Sequence, residues 1–298
     1  MVKTELGRRA KGAEGGATYT VQPLRDLQPL RAFLAQDRPY AAFALGHLEP
    51  RLRPVCQWWL AKGNGGAALL LHAQSSLGPS LYAMGDPEAL DVALSLHPGP
   101  RFTFATFQLE HLPVMERYFA VQHRRPMLRM VATPETFRPV EGEARRLTGR
   151  DIGRINQLYS AQGGGYYTAA HIEESVYYGV FAEGRLVAIA GTHVVAPGEG
   201  VAVVGNVYTH PRYRGRGYAT IASGAVAAEL LRSCPLVALT VNPDNTPAVR
   251  AYEKLGFLRH GLLMESPARR RDLLGLAALA RRWRARRRRG GQGEEVVA

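Results

Sequence analysis

The residues best suited to chemistry are the consecutive six Arg214-Gly215-Arg216-Gly217-Tyr218-Ala219. They follow an apolar strand pattern that ends at His210-Pro211, and they lead straight into an apolar helical pattern over 218–231. Glycines let a backbone approach a ligand closely and take left-handed dihedrals, so successive N–H groups can point into one concavity. The start of a helix adds a partial positive charge, and arginines add full charges at the rim. Such a turn suits a phosphate or pyrophosphate. The plainer reading is a strand–helix turn that glycine merely eases.

A second group follows a further strand pattern. Asn242-Pro243-Asp244-Asn245 precedes a helix over 246–255, whose end reads Ala251-Tyr252-Glu253-Lys254-Leu255-Gly256-Phe257. A phenol is still protonated at neutral pH, so Tyr252 can act as a proton donor. Its plainer role is an aromatic on the inner face of the helix, beside Val249 and Leu255. The strand before the glycine turn, Val203-Val204-Gly205-Asn206-Val207, has no carboxylate. A proton acceptor would have to be His193, His210, Glu173 or Glu174, or water. His193 also reads as a structural donor on a strand, His210 as a turn cap, and Glu173-Glu174 as a solvated helix face. Cys56 and Cys234, the only cysteines, form no CxxC or zinc spacing, and no Ser/His/Asp or Cys/His nucleophile arrangement stands out.

These groups sit in the later of two similar halves. The first half reads as a strand at 19–24, helical spacing over 27–48, strands at 55–61, 67–73 and 80–84, a helix at 87–96, a strand at 102–107, a helix at 112–119 and a strand at 127–131. In the second, residues 146–147 lead to helices at 152–161 and 168–175. Strands at 178–182, 186–195 and 201–209, a helix at 218–231, a strand at 236–241, a helix at 246–255 and a strand at 262–265 complete it. Both orders are β-α-α-β-β-β-α-β-α-β. Shifting residues 101–121 by 134 positions lays Thr106 on Thr240, Pro113 on Pro247 and Tyr118 on Tyr252. The expected organisation is a flexible leader over 1–16, one domain over 17–138, a second over 143–267 and an arginine-rich tail over 268–298, with a polar linker near 139–144.

The composition agrees with two globular domains: 298 residues, 46% hydrophobic and 21% charged. It excludes a disordered or collagen-like chain, and no run is long enough to span a membrane. Two cysteines argue against a disulfide scaffold, so a reducing, cytoplasmic setting is expected. The formal net charge of +13 invites a nucleic-acid reading, but residues 267–298 alone hold ten arginines against three acids. Most of the excess therefore lies at the ends of the chain.

With the motifs in place, residues from about 146 to 265 resemble the acyl-CoA-binding core of the GCN5-related N-acetyltransferase (GNAT) superfamily. Residues 214–219 match its R-G-x-G-x-A pyrophosphate loop, Asn245 its asparagine at the start of the following helix, and Tyr252 to Phe257 its Y-x-K-x-G-F ending. The repeated layout is similar to two-domain members such as the mycothiol synthases and to the FR47-like and glycine N-acyltransferase-like branches. The resemblance implies an α/β protein of two tandem GNAT-like folds, each a mixed, mostly antiparallel sheet flanked by helices. It also implies an N-acetyltransferase that moves an acetyl group from acetyl-CoA to an amine by direct attack in a ternary complex. Arg214, Gly215, Arg216, Gly217, Tyr218 and Ala219 would hold the pyrophosphate. Val207, Tyr208 and Thr209 would pair with the pantetheine arm and polarise the thioester carbonyl. Asn245 would bond that arm, and Tyr252 would protonate the leaving thiolate. The acceptor is a small-molecule or protein amine, and no metal is called for. A non-catalytic acyl-CoA sensor is the alternative.

The first half lacks the cradle. Its corresponding turn is Tyr82-Ala83-Met84-Gly85-Asp86-Pro87-Glu88, whose acids repel phosphate and whose proline lacks an N–H. His111 stands at the asparagine position and Tyr118 at the tyrosine position. This half is expected to be structural, with Trp58-Trp59 as core or as part of a pocket wall. In the tail, Leu273, Leu276, Ala280 and Trp283 have helical spacing before an arginine run. That pattern suits either a docked terminal helix or a basic helix on nucleic acid or a membrane surface.

Overall fold

The computed structural model describes residues 8–11, 18–75, 78–161 and 167–290, which form two compact α/β units. The expected order of elements is present in both halves, with short 3-10 turns and the three-residue strand Phe119–Val121 in addition. Local rules explain several boundaries. The helical pattern over 27–48 is broken into Leu27–Leu34 and Arg38–Gly46, because Asp37 caps the second helix and Pro39 sits in its first turn. Asp37 Oδ1 accepts from the Tyr40 N–H at 3.0 Å. Helix Pro87–Leu96 starts the same way on Asp86.

Strand pairing redraws the division of the chain. In unit 1, strands Arg8–Lys11, Thr18–Pro23, Cys56–Gly63, Gly66–Ser75, Gly78–Gly85 and Phe102–Phe107 lie side by side in that order. Residues 264–269 of the last strand, Leu258–Arg270, then pair antiparallel with Phe102–Phe107. In unit 2 the order is Arg145–Arg146, Tyr178–Ala182, Arg185–Ala196, Val201–Thr209, Leu236–Val241 and Met127–Ala132. Each sheet is antiparallel except for one pair joined by a crossover helix: Gly78–Gly85 with Phe102–Phe107, and Val201–Thr209 with Leu236–Val241.

The boundaries 17–138 and 143–267 are therefore corrected. Unit 1 is Met1–Phe33, Pro54–Arg125 and Leu263–Ala298; unit 2 is Leu34–Arg53 and Pro126–Leu262. The closing strand of each half is counted with the other half's unit, and helix Arg38–Gly46 belongs with the later elements. Gly46 allows that helix close approach, since a Cβ there would collide with Val194. The leader is also corrected in part: Arg8–Lys11 is a strand, in register from Arg8↔Val21 to Lys11↔Thr18. The other leader residues and the Gly163-Gly164-Gly165 break lie outside the described residues. In the tail, residues 268–270 are still strand, and the helix is Leu276–Gly290. Leu273 precedes it, and Leu276 and Trp283 are exposed while Ala278 is buried, so the expected apolar stripe is not the buried face.

In unit 2 helix Tyr218–Leu230 buries Ala222, Val226, Ala227 and Leu230 against Met130, Val204, Val237 and Leu239 of the sheet. Burying such side chains stabilises by roughly 1.5–3 kcal/mol each for the larger ones. That packing fixes the helix start relative to the strand before it, and so fixes the glycine turn between them.

Candidate functional site

Strand Val201–Thr209 is the spine of the site. Its parallel pairing with Leu236–Val241 runs only from Val201↔Leu236 to Val204↔Leu239. On its other side it stays paired to Arg185–Ala196 as far as Thr209, although the register shifts twice. From Gly205 onward one edge of the strand thus has no strand partner among the described residues. Asn206 marks the departure, with a left-handed φ of 54° that costs a non-glycine residue about 1 kcal/mol. Two side-chain bonds hold it there: Tyr159 donates to its carbonyl, and its carboxamide donates to the Tyr177 hydroxyl at 2.7 Å.

Alternation then sorts the three expected strand residues. Val207 packs into the core that contains Tyr252, whereas Tyr208 packs on the opposite cluster with Tyr159 and Tyr177. Thr209 lies at the strand end; its hydroxyl is buried without a hydrogen-bond partner among the described residues, and its carbonyl accepts from Arg214 Nε at 3.2 Å.

The turn that follows is open. Gly215 and Gly217 have φ of 75° and 79°, and a Cβ at either would meet nothing within 4 Å. Gly217 occupies the cap position of helix Tyr218–Leu230, and no described side chain caps it. The first N–H groups of that helix therefore lack the usual internal acceptor, and the positive end of its dipole faces outward. Arg214 lies near the Tyr208 ring and Arg216 near the Tyr213 ring, 5.9 and 5.4 Å from the centroids. Both guanidinium groups remain exposed at the rim.

Asn245 caps helix Thr246–Lys254 through its Oδ1, which accepts from the Ala248 N–H at 3.3 Å. Its NH2 group has no partner among the described residues and stands exposed. Tyr252, seven residues on, is 8% exposed and packs edge-on to Phe257, 6.0 Å between centroids. Burial pushes its phenol up to about 12, opposed by neighbouring Ser223. Tyr252 therefore stays protonated across the physiological range.

Of the four candidate proton acceptors, three are occupied. His210 Nδ1 accepts from the Arg212 N–H at 3.3 Å, the cap that its place in the turn suggested. Glu173 accepts from the Gly149 N–H at 2.7 Å, and Glu174 pairs with Arg51. His193 differs. Its ring lies over Gly205, where a Cβ would collide with it, so it stands where the parallel pairing ends. Solvent reaches the side chain, yet protein atoms crowd around it, as in a concavity. That crowding, with the nearby Arg129 and His171, holds the imidazole well below its ordinary pKa. It is neutral at neutral pH.

Sequence reasoning missed the polar cluster beside this point: Tyr159, Tyr177 and His171 around Asn206. His171 Nε2 lies 3.0 Å from the Tyr177 hydroxyl. The available signal was Asn206 itself, a lone polar residue in an apolar strand. No group of three or more potential metal-ligating side chains occurs among the described residues.

Known proteins resemble the chain in sequence and in fold. Residues 151–257 match the sequence model of the acetyltransferase (GNAT) family. Among solved structures, a protein of the GNAT family from Novosphingobium aromaticivorans DSM 12444 is similar at a TM-score of 0.57 and 24% identity, covering 78% of this chain and 99% of that one. A GCN5-related N-acetyltransferase from Kribbella flavida matches at 0.51 and 20% identity, over 68% of this chain and 87% of that one. A Drosophila protein matches at 0.56 and 13% identity, over 84% and 97%. No curated protein sequence matches the chain. An open glycine turn, a strand that parts from its parallel neighbour and the structural likeness converge on one statement: the chain has the GNAT fold, and its residues 151–257 match the sequence model of the acetyltransferase (GNAT) family.

Proposed function

We propose that the protein is an N-acetyltransferase that uses acetyl-CoA and acts in unit 2 by direct attack of an amine on the thioester. The observation that carries this reading is the uncapped start of helix Tyr218–Leu230, with its two left-handed glycines and open space around them. The residues fit the cosubstrate. Backbone N–H groups at Gly215, Gly217, Tyr218 and Ala219 would take the pyrophosphate oxygens, with Arg214 and Arg216 supplying charge at the rim. The free edge at Val207, Tyr208 and Thr209 would pair with the amides of the pantetheine arm. One of those strand N–H groups would stabilise negative charge on the thioester oxygen during attack. The free NH2 of Asn245 would donate to the same arm.

Tyr252 is the proton donor to the departing thiolate. His193 receives the amine proton, directly or through a water, because it is the neutral titratable group beside Gly205 that is not already bonded as a cap or ion pair. The acceptor is an amine of a small molecule or of a protein.

The test is release of CoA thiol from acetyl-CoA across a panel of amines. Turnover with any of them supports the proposal. Binding of acetyl-CoA without transfer to any amine favours the other reading, a non-catalytic acyl-CoA sensor. One observation favours that alternative: Glu173 and Glu174, the two acids considered as proton acceptors, are both committed elsewhere.

A further inference from the structure

Unit 1 holds a cleft of about 1000 Å³ that no part of the acetyl-transfer reading uses. Its wall is built from strands Cys56–Gly63 and Gly66–Ser75, the loop after helix Pro87–Leu96, and helix Leu276–Gly290. Of the expected pair of tryptophans, Trp58 is core, but Trp59 lines this cleft with its ring stacked on His97 at 3.4 Å and 11° between planes. Trp283, Leu279 and Val55 also line it, and each is more than two-fifths exposed. Monomeric proteins seldom leave so many large apolar side chains together on one surface.

The charge of the wall has one sign. No Asp or Glu lines it, while Arg270 and Arg282 do. Arg270 spends its donors on the carbonyls of Gly99, Asp272 and Leu273, so it contributes positive charge but few free N–H groups. Arg282 makes no hydrogen bond or ion pair with the described residues, although it is half-buried. His72 adds no charge: it is buried, its Nε2 donates to the His97 carbonyl at 2.9 Å, and burial pushes it down to about 4. A guanidinium lining the same cleft as two indoles, without a carboxylate partner among the described residues, matches a ligand with a flat apolar body and one anionic group.

We propose that this cleft is a binding site for such an amphipathic anion, an aromatic carboxylate or sulfonate, held between Trp59 and Trp283 with its acid on Arg282. The site is independent of acetyl-CoA. The probe is anilinonaphthalene sulfonate, titrated into the full chain by fluorescence, with uncharged N-phenylnaphthylamine as the charge control. One saturable site is expected, and the uncharged dye should bind at least about tenfold more weakly. Arg282→Glu and Trp283→Ala, both at accessible positions on the terminal helix, should each weaken the sulfonate about tenfold while leaving the circular dichroism spectrum unchanged. Arg282→Gln serves as the second variant should the charge reversal perturb the helix. Excess acetyl-CoA should not displace the dye. Absence of saturable binding, equal binding of the two dyes, wild-type binding by folded variants, or displacement by acetyl-CoA would each overturn the proposal.

Discussion

Helix Pro87–Leu96 in unit 1 and helix Tyr218–Leu230 in unit 2 hold the same place, each linking the one parallel pair of its sheet. Their starts differ. At the first, Asp86 accepts from the Ala89 N–H at 2.8 Å, Pro87 has no N–H, and Tyr19 donates to both Asp86 and Glu88. The positive end of that helix is already answered by the chain's own carboxylates. At the second, two glycines in left-handed conformation leave the amides open and arginines surround them. A helix dipole alone therefore does not make an anion site; the residues on either side of the first turn decide whether its N–H groups are free. The tyrosines differ in the same sense. Tyr118 donates to the Asp91 carboxylate at 2.9 Å, whereas Tyr252 has only the neutral Ser223 hydroxyl as its neighbouring polar group among the described residues.

The strongest way to break this contrast is to give unit 2 the finish of unit 1. Gly217→Asp places a carboxylate at the open helix start and a side chain on left-handed backbone. Calorimetry should show acetyl-CoA affinity falling about a hundredfold, from a charged hydrogen-bonding site turned repulsive plus about 1 kcal/mol of strain. Next, Tyr252→Phe should lower turnover about a hundredfold while acetyl-CoA affinity stays within about twofold. Equal loss of both would remove its role as proton donor. Tyr118→Phe should leave acetyl-CoA binding as it is and cost about 1–2 kcal/mol in urea unfolding, through the lost bond to Asp91.

Acid should act on both units through buried histidines. Folded His72 takes a proton only near pH 4, while the unfolded chain takes it near 6.5, so between those values the unfolded state binds more protons. Stability is then unchanged above about pH 6.5 and is lost as pH falls through the window, by about 2 kcal/mol at pH 5 for this residue. Unfolding midpoints at pH 7.5 and 5 should show the loss, and His72→Gln should show less of it. The smallest effect belongs to Asp86→Ala. It should cost about 1 kcal/mol of stability through the lost cap. It should create no acetyl-CoA site, because Pro87 still lacks an N–H; recovered binding in a Gly217→Asp background would show that the two turns differ by less than argued.

Much of the fold and of the site is legible in the amino-acid sequence. Period-two and helical patterns place the strands and helices because each follows from local burial. Arg214 to Ala219 announce an open turn because glycine conformation and a helix start are local properties. The exchanged closing strands are not legible: alternation in residues 127–132 tells which face is buried, but not which sheet supplies the partner. Asn206 escapes for a similar reason. Its left-handed conformation depends on Tyr159 and Tyr177, which lie 47 and 29 residues away in sequence. His193 acquires meaning only once Gly205 is beneath its ring.

The contrast predicts one acyl-CoA site in a chain that carries its fold twice. Titrating acetyl-CoA into the full-length protein by isothermal calorimetry tests it most directly. One equivalent per chain, abolished or greatly weakened by Gly217→Asp, is the expected result; two equivalents, none, or a single site insensitive to that substitution would contradict it.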